Sequence, residues 1–168
     1  MEIKEFKKLL YIDMDGVCAD FEEGVRSYEP DMLWEQDEVE RICKSNPLVF
    51  EILPELPDAI KSIEILKEHY DIYFLSTPMY NVPESYMGKR KWLKEKFGDW
   101  VDKRLILTHR KDLNKGDFII DDRLVNGVEF FDGYHIHFGS DKFPDWESVL
   151  KFLINKIIWN QNLLQKSI

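Results

Sequence analysis

The chain has 168 residues, 32 of them acidic and 23 basic, so its formal net charge is −9. That charge argues against a partner that is a polynucleotide or an anionic membrane, and no apolar run is long enough to cross a bilayer. An apolar content of 44% suffices for the core of one folded unit, expected to span residues 1–168. Two cysteines without a CxxC pair, and an N-terminus unlike a signal peptide, predict a reducing, cytoplasmic location.

Five short apolar runs predict strands, and they lie at residues 9–12, 72–75, 105–107, 118–120 and 135–138. Continuous runs of this kind are typical of parallel strands that are covered on both faces. Helical patterns occupy residues 57–66, 86–97 and 146–157. The alternation indicates an α/β fold with a Rossmann-like parallel sheet flanked by helices, in which ligands bind at the carboxyl ends of the strands.

Residues 17–53 interrupt this alternation, because no second strand follows the first within them. The stretch is long for a plain connection between strands. We therefore predict a small, mostly helical insertion above the strand ends, although an ordinary crossover with an elaborated loop stays open.

Two pairs of carboxylates follow predicted strands. Asp13 and Asp15 end the first run, where Gly16 permits a sharp turn, and Asp121 and Asp122 end another. Four carboxylates in one cleft would repel one another unless a cation lay among them. Oxygen ligands with room for water favour Mg²⁺, and the spacing does not fit a calcium-binding EF-hand loop.

A magnesium ion among carboxylates suggests a phosphate ligand, which needs further donors. Ser76 and Thr77 follow the second predicted strand and offer hydroxyl and backbone N–H groups. Lys89 begins a basic stretch within residues 86–115, which hold ten basic and four acidic residues. Each feature alone is common, since Ser-Thr pairs often cap helices and helical lysines are usually solvated. Their joint occurrence in this order is a much stronger signal for a phosphate site than any one of them alone.

Together these residues resemble the four motifs of the haloacid dehalogenase superfamily of phosphatases, and in detail the 5'(3')-deoxyribonucleotidases. The stretches that carry the resemblance are DMDGVCADFEEG at 13–24, FLSTP at 74–78, KRKWLKEKFG at 89–98 and IIDDR at 119–123. The similarity covers roughly residues 8–155 and has least support in the inserted stretch, which it implies to be a small cap. A response-regulator receiver domain is unlike this chain, because there the acidic pair comes first.

The resemblance implies a catalytic mechanism. Asp13 would attack phosphorus to form an aspartyl-phosphate, and Asp15 would act as general acid and then general base. Magnesium would bind Asp13, the backbone carbonyl of Asp15, and at least one of Asp121 and Asp122, with Asp122 the expected direct ligand.

The resemblance also assigns Ser76, Thr77 and Lys89 to the phosphoryl oxygens. In the resembling nucleotidases an aromatic-lined pocket holds the base. Phe21 matches that family's aromatic position. Phe50 and Trp34 fit a contact with the base and a place in the core equally well.

Two arginines are further candidates for substrate contacts. Arg123 follows the acidic pair and would orient Asp121 or touch substrate, whereas Arg110 fits a substrate contact or an ordinary surface position equally well. His135 and His137 share one face of a strand, and half-buried strand histidines are favoured over a metal pair. The tail of the last helix suggests a homodimer contact through Ile157, Ile158, Trp159, Leu163 and Leu164.

The leading hypothesis is a magnesium-dependent phosphomonoesterase whose substrate is a deoxyribonucleoside monophosphate. One alternative is a phosphatase of the same fold acting on a sugar phosphate or another small phosphomonoester. A second is a non-enzymatic protein that binds magnesium and a phosphoryl ligand without turnover.

Overall fold

The computed structural model describes residues 7–165, of which 159–165 are described by their backbone alone. Five parallel strands form one sheet in the order β3-β2-β1-β4-β5, and they are β1 (Leu9–Ile12), β2 (Asp71–Ser76), β3 (Leu105–Leu107), β4 (Phe118–Asp121) and β5 (Tyr134–His137). The helices are α1 (Phe21–Arg26), α2 (Gln36–Ser45), α3 (Val49–Ile52), α4 (Ala59–Leu66), α5 (Glu84–Phe97) and α6 (Trp146–Gln165). The α/β prediction and the five predicted strands are confirmed.

The central strand β1 sets the position of the ligand site. Its Leu10 lies beside Ile72 of β2 and Phe118 of β4, and it is fully buried, as its apolar run predicts. The chain order changes direction on either side of β1, and in open α/β sheets ligands bind at such a point, here the carboxyl ends of β1 and β4. There the Asp13 N–H donates to the Ile120 carbonyl at 2.9 Å, so the first residue beyond β1 is tied to β4.

Three helices, α1 to α3, occupy the predicted insertion between β1 and α4. The shortest of them, α3, packs closely against α5 at Gly88. A Cβ on that glycine would lie 2.4 Å from the Cβ of Phe50, so only glycine permits this approach. The Trp92 indole donates a hydrogen bond to the Leu53 carbonyl at 2.8 Å, which also joins the insertion to the core.

The last helix covers one face of the sheet through a stripe that begins at Trp146, whose indole donates to the Val17 carbonyl at 2.7 Å. Val149 and Leu153 are fully buried on the same stripe. Of the suggested dimer surface, Ile157 is half-buried and Ile158 exposed, and Trp159, Leu163 and Leu164 lie outside the described side chains. The homodimer stays a prediction. Across the described residues, no helix has the length and apolar character needed to cross a membrane.

Candidate active site

Asp13 lies at the centre of the site and is buried. One carboxylate oxygen, Oδ1, accepts the Met14 N–H at 2.7 Å, and Oδ2 lies 2.7 Å from the Lys111 ammonium. Burial by itself would raise the pKa of Asp13, but the charges of Lys111 and Lys89 and the hydrogen bonds outweigh burial and lower it. Asp13 is therefore an ionised carboxylate at neutral pH.

Lys111 is a site residue that the sequence analysis did not identify. Its side chain is buried, and its ammonium binds both Asp13 and the Oδ2 of Asp121. Burial lowers the pKa of Lys111, but the two carboxylates outweigh burial and raise it. The backbone N–H of Lys111 donates to the Asn126 carbonyl at 2.8 Å, which anchors the lysine to the loop beyond β4.

The sequence feature that comes closest to indicating Lys111 is the excess of basic residues around it. It lies in the basic stretch 86–115, but in a polar segment, KDLNKGD, that has no hydrophobic periodicity. Four converging carboxylates need more positive charge than one lysine supplies, but in the sequence analysis that charge is assigned to Mg²⁺ and not to a second lysine.

Lys89 lies on the buried side of α5, and its ammonium is 2.7 Å from Asp15 Oδ2. The lysine is 1% exposed, so it is no solvated surface residue. A lysine ammonium has three N–H donors, so this ion pair leaves others for a second acceptor. The other carboxylate oxygen, Asp15 Oδ1, is buried and has no hydrogen-bond partner among the described residues.

The two carboxylates at the end of β4, Asp121 and Asp122, differ in their hydrogen-bond partners. Asp121 Oδ1 accepts the Arg123 N–H at 3.0 Å and its Oδ2 binds Lys111. By contrast, Asp122 Oδ1 is buried and has no hydrogen-bond partner among the described residues. Burial, followed by the charge of Asp13, raises the pKa of Asp121 to about 7, and the same causes raise the pKa of Asp122.

A divalent cation fits this arrangement. Asp13, Asp121 and Asp122 each offer one ligand atom, and these atoms lie within 4.8 Å of one another. Asp122 Oδ1 accepts no hydrogen bond from the described residues and so has capacity for a metal ligand bond, while direct binding by Asp122 stays a prediction. Gly16 has φ +74°, and a Cβ there would lie 2.4 Å from Asp122 Oδ2. The Asp15 side chain points to Lys89 instead, which leaves its backbone carbonyl as the predicted contribution.

Ser76 and Thr77 follow β2 but differ in their hydroxyl groups. The Ser76 hydroxyl is buried and has no hydrogen-bond partner among residues 7–165. By contrast, the Thr77 hydroxyl donates to the Thr108 carbonyl at 2.9 Å, between the loops after β2 and β3. In this structure the Thr77 hydroxyl joins two loops, whereas the Ser76 hydroxyl is unbonded among the described residues. The predicted phosphate contact of Thr77 stays a prediction, and its backbone N–H is the other donor named for it.

Comparison with known proteins identifies the family. Residues 31–150 match the family described as 5' nucleotidase, deoxy (pyrimidine), cytosolic type C. The chain belongs to this family. It is accordingly an enzyme of the phosphatase and nucleotidase class, and the predicted resemblance is confirmed.

Individual relatives and a solved structure agree with this assignment. A protein of Vibrio phage KVP40, provisionally named a 5'(3')-deoxyribonucleotidase, is 42% identical over 153 residues, which are 91% of this chain and 88% of that protein. The 5'(3')-deoxyribonucleotidase of Bacillus subtilis is 27% identical over 79% of this chain and 85% of its own length. A haloacid dehalogenase-like hydrolase from Xanthomonas campestris has a TM-score of 0.52 at 10% identity, covering 77% of this chain and 82% of that one, and so shares the fold.

The aromatic residues of this nucleotidase form a row that runs from the core to the surface. Phe50 is fully buried and stacks on Phe21, with ring centroids 5.9 Å apart. Phe21 is half-buried and meets Trp34 edge to face at 6.1 Å, and Trp34 is 43% exposed. The structure does not support the prediction that Phe50 contacts substrate, because its packing against Gly88 leaves it no accessible surface. Phe21 and Trp34 keep exposed ring area.

The two candidate arginines of the nucleotidase lie in different surroundings. Arg110 is exposed and makes a bidentate ion pair with Asp112, and the substrate contact stays a prediction. Arg123 orients Asp121 through its backbone N–H, while its guanidinium is 3.9 Å from Asp122 Oδ1.

His135 and His137 are half-buried on β5, as expected, and neither belongs to the described metal-capable acidic cluster. Their Nε2 atoms lie 2.9 and 3.0 Å from the backbone oxygens of Asp121 and Asp122. Burial lowers the pKa of His135. Both rings therefore contact the acidic pair through its backbone.

Proposed function

We propose that this nucleotidase hydrolyses deoxyribonucleoside monophosphates, using Mg²⁺ and a covalent aspartyl-phosphate on Asp13. The observation that carries the proposal is the buried Asp13 carboxylate, which contacts Lys111 and lies within reach of Asp121 and Asp122. The same lysine contact lowers the pKa of Asp13. A nucleophilic carboxylate must stay ionised next to an anionic phosphate, and buried cations provide that condition.

Asp13, Asp122 and the backbone carbonyl of Asp15 would hold the magnesium ion, with Asp121 as a further carboxylate bound to Lys111. When bound, the ion supplies positive charge that offsets the repulsion between the Asp13 carboxylate and the phosphate. This assignment is supported by Asp122 Oδ1, which is buried and accepts no hydrogen bond from the residues that the structure describes.

In the first half-reaction, an oxygen of Asp13 forms a bond to phosphorus while the bond from phosphorus to the nucleoside oxygen breaks. Asp15 donates its proton to that leaving oxygen. In the second half-reaction, Asp15 takes a proton from a water molecule whose oxygen attacks phosphorus. The bond between Asp13 and phosphorus then breaks, and inorganic phosphate and both carboxyl groups are regenerated.

The phosphoryl oxygens are proposed to bind Ser76 and Lys89. The buried Ser76 hydroxyl has no hydrogen-bond partner within the described part of the chain, and Lys89 has donors beyond its bond to Asp15. Lys89 would thus link the general acid to the phosphate.

The substrate class rests on the relatives and on the aromatic row. The phage and Bacillus relatives carry the name 5'(3')-deoxyribonucleotidase, and a nucleobase can stack on exposed aromatic surface such as that of Phe21 and Trp34. The helices of residues 17–53 would act as the cap that carries this surface. Free thiols at Cys18 and Cys43 support a reducing, cytoplasmic location.

A substrate panel tests the proposal. Phosphate release is measured from deoxyribonucleoside and ribonucleoside monophosphates, sugar phosphates and glycerol phosphate, with Mg²⁺ or with EDTA. We expect the highest kcat/KM for a deoxyribonucleotide, loss of turnover in EDTA, and a decrease of at least about a thousandfold for Asp13→Asn. Asp99→Asn is the matched control, because the Asp99 side chain is almost fully exposed. Full activity of Asp13→Asn would contradict the mechanism, and a preference for sugar phosphates would contradict the substrate class.

A further inference from the structure

The two strand histidines contact consecutive residues of the acidic pair. In the sheet register His137 lies beside Asp121, and the His135 and His137 rings stack with centroids 5.3 Å apart. His135 Nε2 is 2.9 Å from the Asp121 carbonyl oxygen, and His137 Nε2 is 3.0 Å from the Asp122 carbonyl oxygen. A carbonyl oxygen only accepts hydrogen bonds, so each Nε2 carries the hydrogen and donates it.

The two histidine hydrogen bonds differ in how much they hold the backbone of the acidic pair. The Asp121 carbonyl also accepts the Phe138 N–H at 3.0 Å, so the sheet holds it without His135. Asp122 lies one residue beyond the end of β4. Among the described residues, the Asp122 carbonyl accepts its hydrogen bond from His137 and from no backbone N–H. The His137 side chain therefore supplies at Asp122 the hydrogen bond that the Phe138 backbone N–H supplies at Asp121.

The Asp122 carboxylate needs such support. Its Oδ1 has no hydrogen-bond partner among the described residues, and the Arg123 guanidinium, 3.9 Å away, is too far to donate one. The carboxylate also lies near those of Asp13 and Asp121, which repel it. A free backbone would let the side chain turn away from these charges. Metal binding would then include the cost of returning it to the site.

We propose that His137 is a positioning residue that sets the Mg²⁺ affinity of the site by holding the backbone of Asp122. His135 is the redundant member of the pair. The inference rests on the proposed function, because it takes Asp122 as a magnesium ligand.

Isothermal titration of Mg²⁺ into the metal-free full-length protein tests this proposal. His137→Phe keeps an aromatic ring against His135 but cannot donate, and His135→Phe is the matched control. We expect the Mg²⁺ Kd to rise about 10- to 100-fold in the first variant and less than about threefold in the second. His137→Gln should restore affinity, because its terminal amide donates from a position similar to Nε2.

Equal Kd values for wild type and His137→Phe, or equal losses in both phenylalanine variants, would overturn the positioning role while leaving the proposed function intact. Absence of Mg²⁺ binding by the wild type would overturn both. Urea unfolding in EDTA establishes that each variant is folded. If His137→Phe does not fold, His137→Gln is compared with the shorter His137→Asn, and equal affinities of these two would overturn the proposal.

Discussion

The ammonium nitrogen of Lys111 lies 2.7 Å from Oδ2 of Asp13, and both side chains are buried. The same ammonium binds Asp121, so one lysine neutralises charge on two of the three clustered carboxylates. Because it lowers the pKa of Asp13, this contact keeps the proposed nucleophile ionised. Lys111 therefore links the nucleophile after β1 to the acidic pair after β4.

Removal of Lys111 should affect stability as well as catalysis. In Lys111→Met, Asp13 and Asp121 would remain buried and close together without their cation. We expect the free energy of unfolding in EDTA at pH 8 to fall by about 3–5 kcal/mol, measured by urea denaturation. Saturating Mg²⁺ should recover part of this loss, and kcat should fall by at least about a hundredfold.

Lys115→Met is the matched control for that variant. Lys115 is 84% exposed and its ion pair with Asp132 is long, at 3.4 Å. Surface pairs of this kind contribute little, so stability and kcat should stay near those of the wild type. Equal stability losses in the two variants would contradict the role of Lys111.

The raised pKa of Asp121 predicts that the stability of the metal-free protein depends on pH. Its folded-state pKa of about 7 exceeds the ordinary value of 3.8, so its contribution to stability is present below about pH 3.8 and is lost as pH rises towards 7. In EDTA, the unfolding free energy of wild type relative to Asp121→Asn should therefore decrease between pH 5 and pH 8 (about the range that brackets this titration). A difference that is constant with pH, measured by urea denaturation, would show that the pKa of Asp121 is not raised.

Lys89 should serve phosphate binding and general acid catalysis together. Lys89→Met removes the buried cation beside Asp15, so we expect kcat/KM to fall by about two to three orders of magnitude, with kcat and KM both affected. Lys91→Met, on the same helix, breaks only a half-exposed pair with Glu51 and should change kcat/KM less than about twofold. Steady-state kinetics on one nucleotide decides between these expectations.

The aromatic row should divide into a structural part and a substrate-binding part. Phe50→Ala should lower the unfolding free energy by about 3–5 kcal/mol, because the side chain is fully buried. Trp34→Ala should leave stability nearly unchanged but raise KM for nucleotides relative to glycerol phosphate. Equal KM increases for both substrates would exclude Trp34 from the base site.

The sequence predicts the sheet and the acidic half of the site well for a physical reason. Strands buried on both faces are continuous apolar runs, and a parallel sheet brings their carboxyl ends to one edge. The convergence of Asp13 with Asp121 and Asp122 follows from that topology alone. Ser76 ends β2 at the same edge, where its buried hydroxyl has no hydrogen-bond partner among residues 7–165.

Two features depend on contacts that leave no pattern in the sequence. Lys111 enters the site because its backbone is bound to Asn126, 15 positions further along the chain. Phe50 is buried because Gly88 lets α3 approach α5. Both require knowledge of which loops and helices meet.

The central claim is the covalent step at Asp13, and trapping the intermediate tests it most directly. An aryl phosphate has a good leaving group that needs little protonation, so Asp15→Asn should still form the intermediate but hydrolyse it slowly. After incubation of this variant with Mg²⁺ and p-nitrophenyl phosphate, acid quenching and borohydride reduction should convert Asp13 to homoserine, detected by peptide mass spectrometry. Release of p-nitrophenol with Asp13 unmodified, or homoserine at another aspartate, would contradict the mechanism.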